Sequence, residues 1–201
     1  MERQERLDSD PWLDLVPPPA SGRAAVVSFP AYVVVAAAVD RPWLDAQVTT
    51  GDYAEPIGPR FLRALEDRLD VVSGNLDCML LATPLDGDPP IPLRPADDTA
   101  HSRVARARRY RTDVRAWTSE HGILVLGRGL GGRWEAAFEV DEYARGKGHG
   151  RALAAAARHL VPEGRPVWAQ CSPGNASSLR ALLAAGYVPV GSEIILMPPA
   201  A

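Results

Sequence analysis

The stretch with residue types and spacing fit for chemistry is Arg145-Gly146-Lys147-Gly148-His149-Gly150. Three alternating glycines let a ligand approach the backbone where a Cβ would obstruct it. The apolar run Trp134 to Val140 before it reads as a strand, and the Ala/Leu-rich run Arg151 to Val161 after it reads as a helix. The first turn of such a helix has amide hydrogens without partners, and the positive end of its dipole lies there. A glycine-rich turn leading into a helix N-terminus is a cradle for phosphate. Arg145 and Lys147 add charge that suits a pyrophosphate. The alternative reading of the same residues is a tight strand-to-helix turn.

The elements that must position this loop are legible from residue 91 onward. Ile91 to Ala96 reads as extended. Asp97 and Asp98 are placed to cap a helix running from about Thr99 to Arg111, which bears Arg103, Arg106, Arg108, Arg109 and Arg111. That run reads as a solvated face, with a patch for phosphates or an acidic partner as the alternative. Asp113 to Thr118, Gly122 to Leu126 and Trp134 to Val140 follow at short, turn-rich intervals, the pattern of an antiparallel meander. After the loop, Leu153, Ala156, Ala157 and Leu160 form a buried helical stripe. Val167 to Cys171 is a strand. Ala176 to Ala185 is a helix with Leu179, Leu182 and Leu183 inward and Gly186 as its stop, and Val190 to Met197 is the last strand.

Upstream, residues 1–22 are charged and then proline-rich, and read as a flexible arm. Residues 23–90 form an N-terminal extension: a strand from Val26 to Val39, a helix from Arg60 to Leu69 with Phe61, Leu62, Leu65 and Leu69 on one face, and a short strand from Asp77 to Thr83. Asp86-Gly87-Asp88-Pro89-Pro90 is the boundary to the domain of residues 91–201. The 201 residues, 46% apolar and 23% charged, are those of an ordinary globular protein. A net charge of −3 argues against bulk binding to nucleic acid or an anionic membrane. Cys78 and Cys171 have no metal-site spacing, so no metal is expected. The longest apolar run, Ala24 to Val39, is short for a membrane span and contains Pro30. The default compartment is a reducing cytoplasm.

Helix, meander, glycine-loop helix, strand, helix, strand resembles the GNAT superfamily of acyl-CoA-dependent N-acyltransferases. Arg145, Gly148 and Gly150 match its Gln/Arg-x-x-Gly-x-Gly/Ala loop. Asn175, Ser178 and Gly186-Tyr187 match its asparagine-led helix, and Ile91 to Ala96 looks like its first strand. The resemblance implies an α/β (α+β) fold with a mixed, largely antiparallel central sheet flanked by helices. It implies transfer of an acetyl or other acyl group from acetyl-CoA to a primary amine by direct attack in a ternary complex. The backbone of Arg145, Gly146, Lys147, Gly148, His149 and Gly150 would hold the pyrophosphate. Phe138, Glu139 and Val140 would line the pantetheine arm where their strand splays from the next, and a backbone amide there would polarise the thioester carbonyl. Asn175 and Ser178 would also contact the cosubstrate; as plain structure they are an N-cap and a surface hydroxyl.

Two departures from the family pattern bear on the chemistry. Where many members place a tyrosine to protonate the departing thiolate stands Leu182. Where the usual glutamate base falls stands Trp134, flanked by Glu135, with Glu139 further along. Period-2 geometry puts Glu135 and Glu139 on one face, opposite Trp134, Phe138 and Val140. Glu135 and Glu139 are the general-base candidates, with Glu193 a third. A small amine, peptide or protein amine remains open as acceptor, and a homodimer is possible. A non-catalytic CoA-binding or interaction module is the competing reading. A second motif, G-x-G-x-x-G at Gly127 to Gly132, is the dinucleotide fingerprint, but the residues after it are too few for a βαβ unit and a hairpin turn is expected.

Overall fold

The computed structural model describes residues 12–19, 23–96 and 100–199. Its strands are β1 (Leu13–Val16), β2 (Ala24–Phe29), β3 (Tyr32–Ala36), β4 (Val72–Ala82), β5 (Arg94–Pro95), β6 (Thr112–Ser119), β7 (Gly122–Arg128), β8 (Trp134–Val140), β9 (Val167–Cys171) and β10 (Val188–Met197). Its helices are α1 (Arg41–Gln47), α2 (Pro59–Leu69), α3 (Ser102–Tyr110), α4 (His149–Leu160) and α5 (Ala176–Ala184). The chain divides into two units, one built from residues up to Asp77 together with Val190 onward, the other from Cys78–Pro189.

In the first unit the single strand expected over Val26 to Val39 is a hairpin, with Phe29 opposite Tyr32. Pro30 presets φ at the first turn position and Ala31 takes φ 60 at the second, the type II pattern. Leu13–Val16, expected within the flexible arm, form β1, parallel to β3. Leu13 is buried, and Tyr32 donates a hydrogen bond to Asp14. The remainder of the expected arm, residues 1–11 and 20–22, lies outside the described residues. α1 is an element that no sequence signal announced; Asp40 caps it by accepting from Trp43 N at 2.7 Å. α2 forms as expected and buries Phe61 and Leu65. They join Val26, Val33, Val35, Leu44, Ile194 and Leu196 in one apolar core.

The second unit carries the glycine loop. Its strand order is β4-β9-β8-β7-β6-β5, entered by the Cys78–Ala82 half of β4. Only β8 and β9 pair in parallel; the other pairs are antiparallel, the meander β6-β7-β8 among them. β5, Arg94–Pro95, is shorter than the extended stretch expected at Ile91 to Ala96, and Pro92, with no amide hydrogen for a ladder, lies before it. The expected caps Asp97 and Asp98 lie outside the described residues. α3 starts at Ser102, and His101 caps it through Nδ1, which accepts from Arg103 N at 3.2 Å.

Alternation along β7 shows how the layers are arranged. Leu124 and Leu126 pack with Leu153, Ala156, Ala157 and Leu182 of α4 and α5. Ile123 and Val125 point the other way and pack with Val104 and Ala107 of α3. The sheet of this unit is therefore covered on both faces, and the adjacent β8 inherits the division. Trp134, Ala136, Phe138 and Val140 face α4. In α5, Leu182 is buried but Leu183, expected inward, is 44% exposed. At 100° per residue only one of two consecutive leucines can centre on a narrow contact face. Gly186 ends the helix at φ +85.

Candidate functional site

β8 runs into a short 3-10 turn, Glu142–Ala144, and then into the loop. Arg145 N donates to Glu142 O at 3.3 Å, and Ala152 N donates to Gly148 O at 3.1 Å. The six amides between them, Gly146 to Arg151, have no hydrogen-bond acceptor among the described residues. Gly146 and Gly148 take φ +77 and +88, a region that costs a side-chain-bearing residue about 1–2 kcal/mol. A Cβ on either would meet nothing within 4 Å, so the space over the loop is open. Gly150 has a different reason. A Cβ there would reach Ala181 Cβ at 3.4 Å and Phe138 Cε2 at 3.5 Å, so its size sets the approach of α4 to α5 and β8. Such a turn, with unsatisfied amides aimed outward at the start of a twelve-residue helix, fits an anionic phosphate group. Lys147 Nζ donates to Tyr143 O (3.3 Å) and Arg145 Nε to Val140 O (3.4 Å); both side chains are exposed at the rim.

Beside the loop, β8 and β9 part. Their pairing covers Trp134–Val167, Glu135–Trp168 and Ala136–Ala169 and then stops, although β8 continues to Val140 and β9 to Cys171. On its other side β8 pairs with β7 along its whole length. From Phe138 onward, β8 thus has one edge without a partner strand among the described residues, and this edge leads to the loop. Asn175 caps α5 by accepting from Ser178 N at 3.1 Å through Oδ1. The side-chain Nδ2 of Asn175 and the half-buried Ser178 hydroxyl have no protein partner among the described residues. The capping role is therefore present, and it leaves donors to spare.

The two base candidates share the α3 face of β8 but sit in different surroundings. Glu135 is buried. Its Oε2 is 2.9 Å from Arg111 Nε, and its Oε1 is 2.8 Å from Arg133 Nε and 3.3 Å from Leu130 N. Gly129 makes room for this carboxylate, since a Cβ there would overlap it. That is the work of the second glycine motif: Gly129 N donates to Arg133 O at 2.9 Å, a short 3-10 turn follows, and no helix starts at Gly132. Glu139 is half-exposed. Its Oε2 is 2.9 Å from Arg103 Nε, and its Oε1 has no partner among the described residues. Glu193 lies in the first unit, buried opposite Val27.

These arginine partners were not foreseen, though the spacing carries them. Arg103 and Arg111 are eight residues apart on a helix, about 12 Å. Glu135 and Glu139 are four apart on a strand, about 13 Å. The two pairs match when α3 runs antiparallel to β8. Leu182, where a family tyrosine would stand, is buried in the core. Tyr187 is buried too; it donates to Ala154 O at 3.2 Å, and burial pushes its pKa far above the ordinary value. Tyr143, just before the loop, is also raised, by desolvation and by its hydrogen bond to Asp141 (3.2 Å). His149 opens α4 with its ring edge-on to that of His121, centroids 4.3 Å apart, so its amide is what it offers the loop.

Among the described residues no cluster of three or more His, Cys, Asp or Glu side chains is arranged to hold a metal, and no helix is long and apolar enough to cross a membrane. No protein-family profile and no curated protein matches the chain. Solved structures do. The chain is similar in fold to GCN5-related N-acetyltransferases. One, from Kribbella flavida, is 17% identical, with 70% of this chain and 64% of that one covered at a TM-score of 0.47. A GNAT-family acetyltransferase from Colwellia psychrerythraea is 12% identical, with 69% and 62% covered at 0.46. A third, from Sphaerobacter thermophilus, is 14% identical, with 69% and 56% covered at 0.41. The chain spans less than two thirds of the length of each.

Proposed function

We propose that this protein is a GNAT-type N-acyltransferase that passes an acetyl group from acetyl-CoA to a primary amine by direct attack within a ternary complex. The observation that carries this reading is the loop. Six unpaired amides, held open by positive φ at Gly146 and Gly148, stand beside the unpaired edge of β8. The amides suit a pyrophosphate, and an edge strand can pair with an extended amide-bearing arm such as pantetheine, placing a backbone N–H against the thioester carbonyl. The acyl carbon would then lie near Phe138, Glu139 and Val140. The amine nitrogen forms the new C–N bond as the C–S bond breaks, and the nitrogen gives up its proton. Glu139, with one oxygen open, is the residue placed to take it; both oxygens of Glu135 are already held. No buried tyrosine supplies an acid. A thiol with a pKa of about 8.5 leaves without one. A binding-only module is the second reading, favoured by Leu182 and by the engaged carboxylate of Glu135.

Calorimetric titration with acetyl-CoA, alongside NADH, tests the cradle on wild type and Gly148→Asp. Aspartate would put a strained residue and a negative charge where the pyrophosphate should lie. Binding of acetyl-CoA but not NADH, weakened at least about tenfold by the substitution, is the expected result. No binding by wild type would reduce the loop to a turn and end the proposal. Turnover with any amine then separates enzyme from binding module.

A further inference from the structure

α3 carries Arg103, Arg106, Arg108 and Arg109 within nine residues and no acid, on a chain whose net charge is −3. Glu139 takes up Arg103. Arg106, Arg108 and Arg109 are exposed and pair with no carboxylate among the described residues. Like charges one turn apart repel, so a surface that keeps them together is set up for an anion.

Helical geometry says where that anion would sit. Val104 and Ala107 point into the sheet, between β6 and β7. Arg103 lies to one side and reaches across to Glu139, so that flank of α3 is turned toward β8. At 100° per residue, Arg106 and Tyr110 share this flank, Arg108 falls on the opposite one, and Arg109 projects from the side away from the sheet, its long side chain bringing the guanidinium back to Tyr110. The guanidiniums of Arg106 and Arg109 each stand 5.4 Å from the Tyr110 ring centroid, framing it. The other face of β8 is filled: Phe138 and Val140 pack into the core with α4 and α5. Within this unit, an amine approaching an acyl group at the β8 edge therefore comes along the α3 face, past Arg106 and Arg109, to reach the open oxygen of Glu139.

We infer that the acceptor is a primary amine that also carries a carboxylate, held by Arg106 and Arg109 around Tyr110 while its amine faces Glu139. This rests on the acyltransferase reading. Arginine is suited to the task because its planar donors meet a carboxylate two at a time. A free acidic amino acid and an acidic peptide N-terminus present the same chemistry.

The test uses the full chain, with acetyl-CoA binding measured first by calorimetry so that failure of the underlying reading is seen by itself. Thiol release is then followed with three amines: glutamate, a short peptide whose free N-terminus precedes Asp-Glu, and the same peptide with Asn-Gln. At least tenfold higher kcat/KM for a carboxylate-bearing amine than for the neutral peptide is expected, and which of the first two is used identifies the source. Arg106→Glu with Arg109→Glu should raise the KM of that amine at least tenfold and leave acetyl-CoA affinity within twofold. Arg108→Glu, one of the same charge changes made on the opposite flank, should leave both within twofold. Three results would each overturn the inference: equal use of acidic and neutral amines, no use of acidic amines by a protein that binds acetyl-CoA, or equal losses from the doubly substituted Arg106→Glu, Arg109→Glu protein and from Arg108→Glu.

Discussion

Replacing Glu135 by glutamine would remove a negative charge from between two guanidiniums while keeping the side chain's shape. The Glu135 side chain is 7% exposed, and the Arg111 and Arg133 side chains are 15% and 12% exposed, so water can reach neither cation freely. Removing one partner of a buried ionic group costs about 3–5 kcal/mol, because the remaining charge is left uncompensated. Both arginines keep some exposure, and Arg133 also rests against the Trp168 ring (5.1 Å), so the lower end, about 3 kcal/mol, applies. For a chain of this length that lowers the melting temperature by roughly 6–12 °C. Glu139→Gln breaks a pair whose side chains are 35% and 39% exposed; it should cost less than about 1 kcal/mol, or under about 4 °C. Its effect should fall on turnover, by about a hundredfold if its carboxylate takes the amine proton. Thermal unfolding by circular dichroism and thiol-release kinetics on both variants make the comparison. A Glu135→Gln protein that melts within about 2 °C of wild type would refute the structural assignment of this residue. A stable Glu135→Gln protein with lost turnover would reverse the two roles.

Two further substitutions probe the support beneath the loop helix. Gly186→Ala should destabilise by about 1–3 kcal/mol, read as a lower urea midpoint. The position has φ +85, and a Cβ would come 2.5 Å from Arg158 Nη1, which bonds Ala185 O at 2.8 Å while its Nε holds Thr83 O at 2.9 Å. An unchanged midpoint would contradict both the left-handed backbone at Gly186 and the fixed position of Arg158. Tyr187→Phe should cost about 1 kcal/mol at neutral pH through loss of the bond to Ala154 O. Burial raises the Tyr187 pKa above its ordinary 10.0, so its contribution is complete below that value and fades as pH rises above it, where only the unfolded chain releases the proton. Urea midpoints at about pH 8 and pH 10.5 should therefore fall more steeply for wild type than for Tyr187→Phe. Parallel slopes would place the hydroxyl in water.

The second unit was legible where patterning and punctuation agreed. β6 to β8 are short runs separated by glycine-rich turns, and α4 and α5 each carry an apolar stripe closed by proline or glycine. β1 was not legible, because four residues next to a charged, proline-rich segment show no period of their own; the parallel ladder with β3 makes Leu13–Val16 a strand. The Pro30-Ala31 turn was hidden inside an apolar run, since both strands of the hairpin have buried residues and neither shows clean alternation. α1 is too short to declare itself and depends on Asp40 and on burial of Leu44. In the site, the loop was readable because its function lies in the backbone and glycine spacing reports backbone directly. The carboxylates were readable only as far as their shared face. What separates them is a helix whose arginines lie 24 and 36 residues upstream, and no local pattern carries a contact across that distance.

That separation bears on how proton transfer is divided in the proposed reaction. An acyltransferase acting on an ammonium ion must remove two protons from nitrogen, one before attack and one as the C–N bond forms, and can, optionally, return one to sulfur. Leu182 lies in the core and the Tyr187 hydroxyl is turned to Ala154 O, so α5 contributes no acid, and sulfur is left to solvent. At nitrogen the need is greater, because a primary amine with a pKa of about 10.4 is almost wholly protonated near neutrality. The sheet presents two carboxylates on the approach face and ties them differently: both oxygens of one to stability, one oxygen of the other to Arg103. Arg103 thereby holds Glu139 in place without using up its capacity to accept. The next arginine on the same flank of α3, Arg106, has no acid to pair among the described residues. One helix face would thus orient the base and supply charge for the acceptor, which explains why the arginines cluster on α3 and are not spread over a chain that is acidic as a whole.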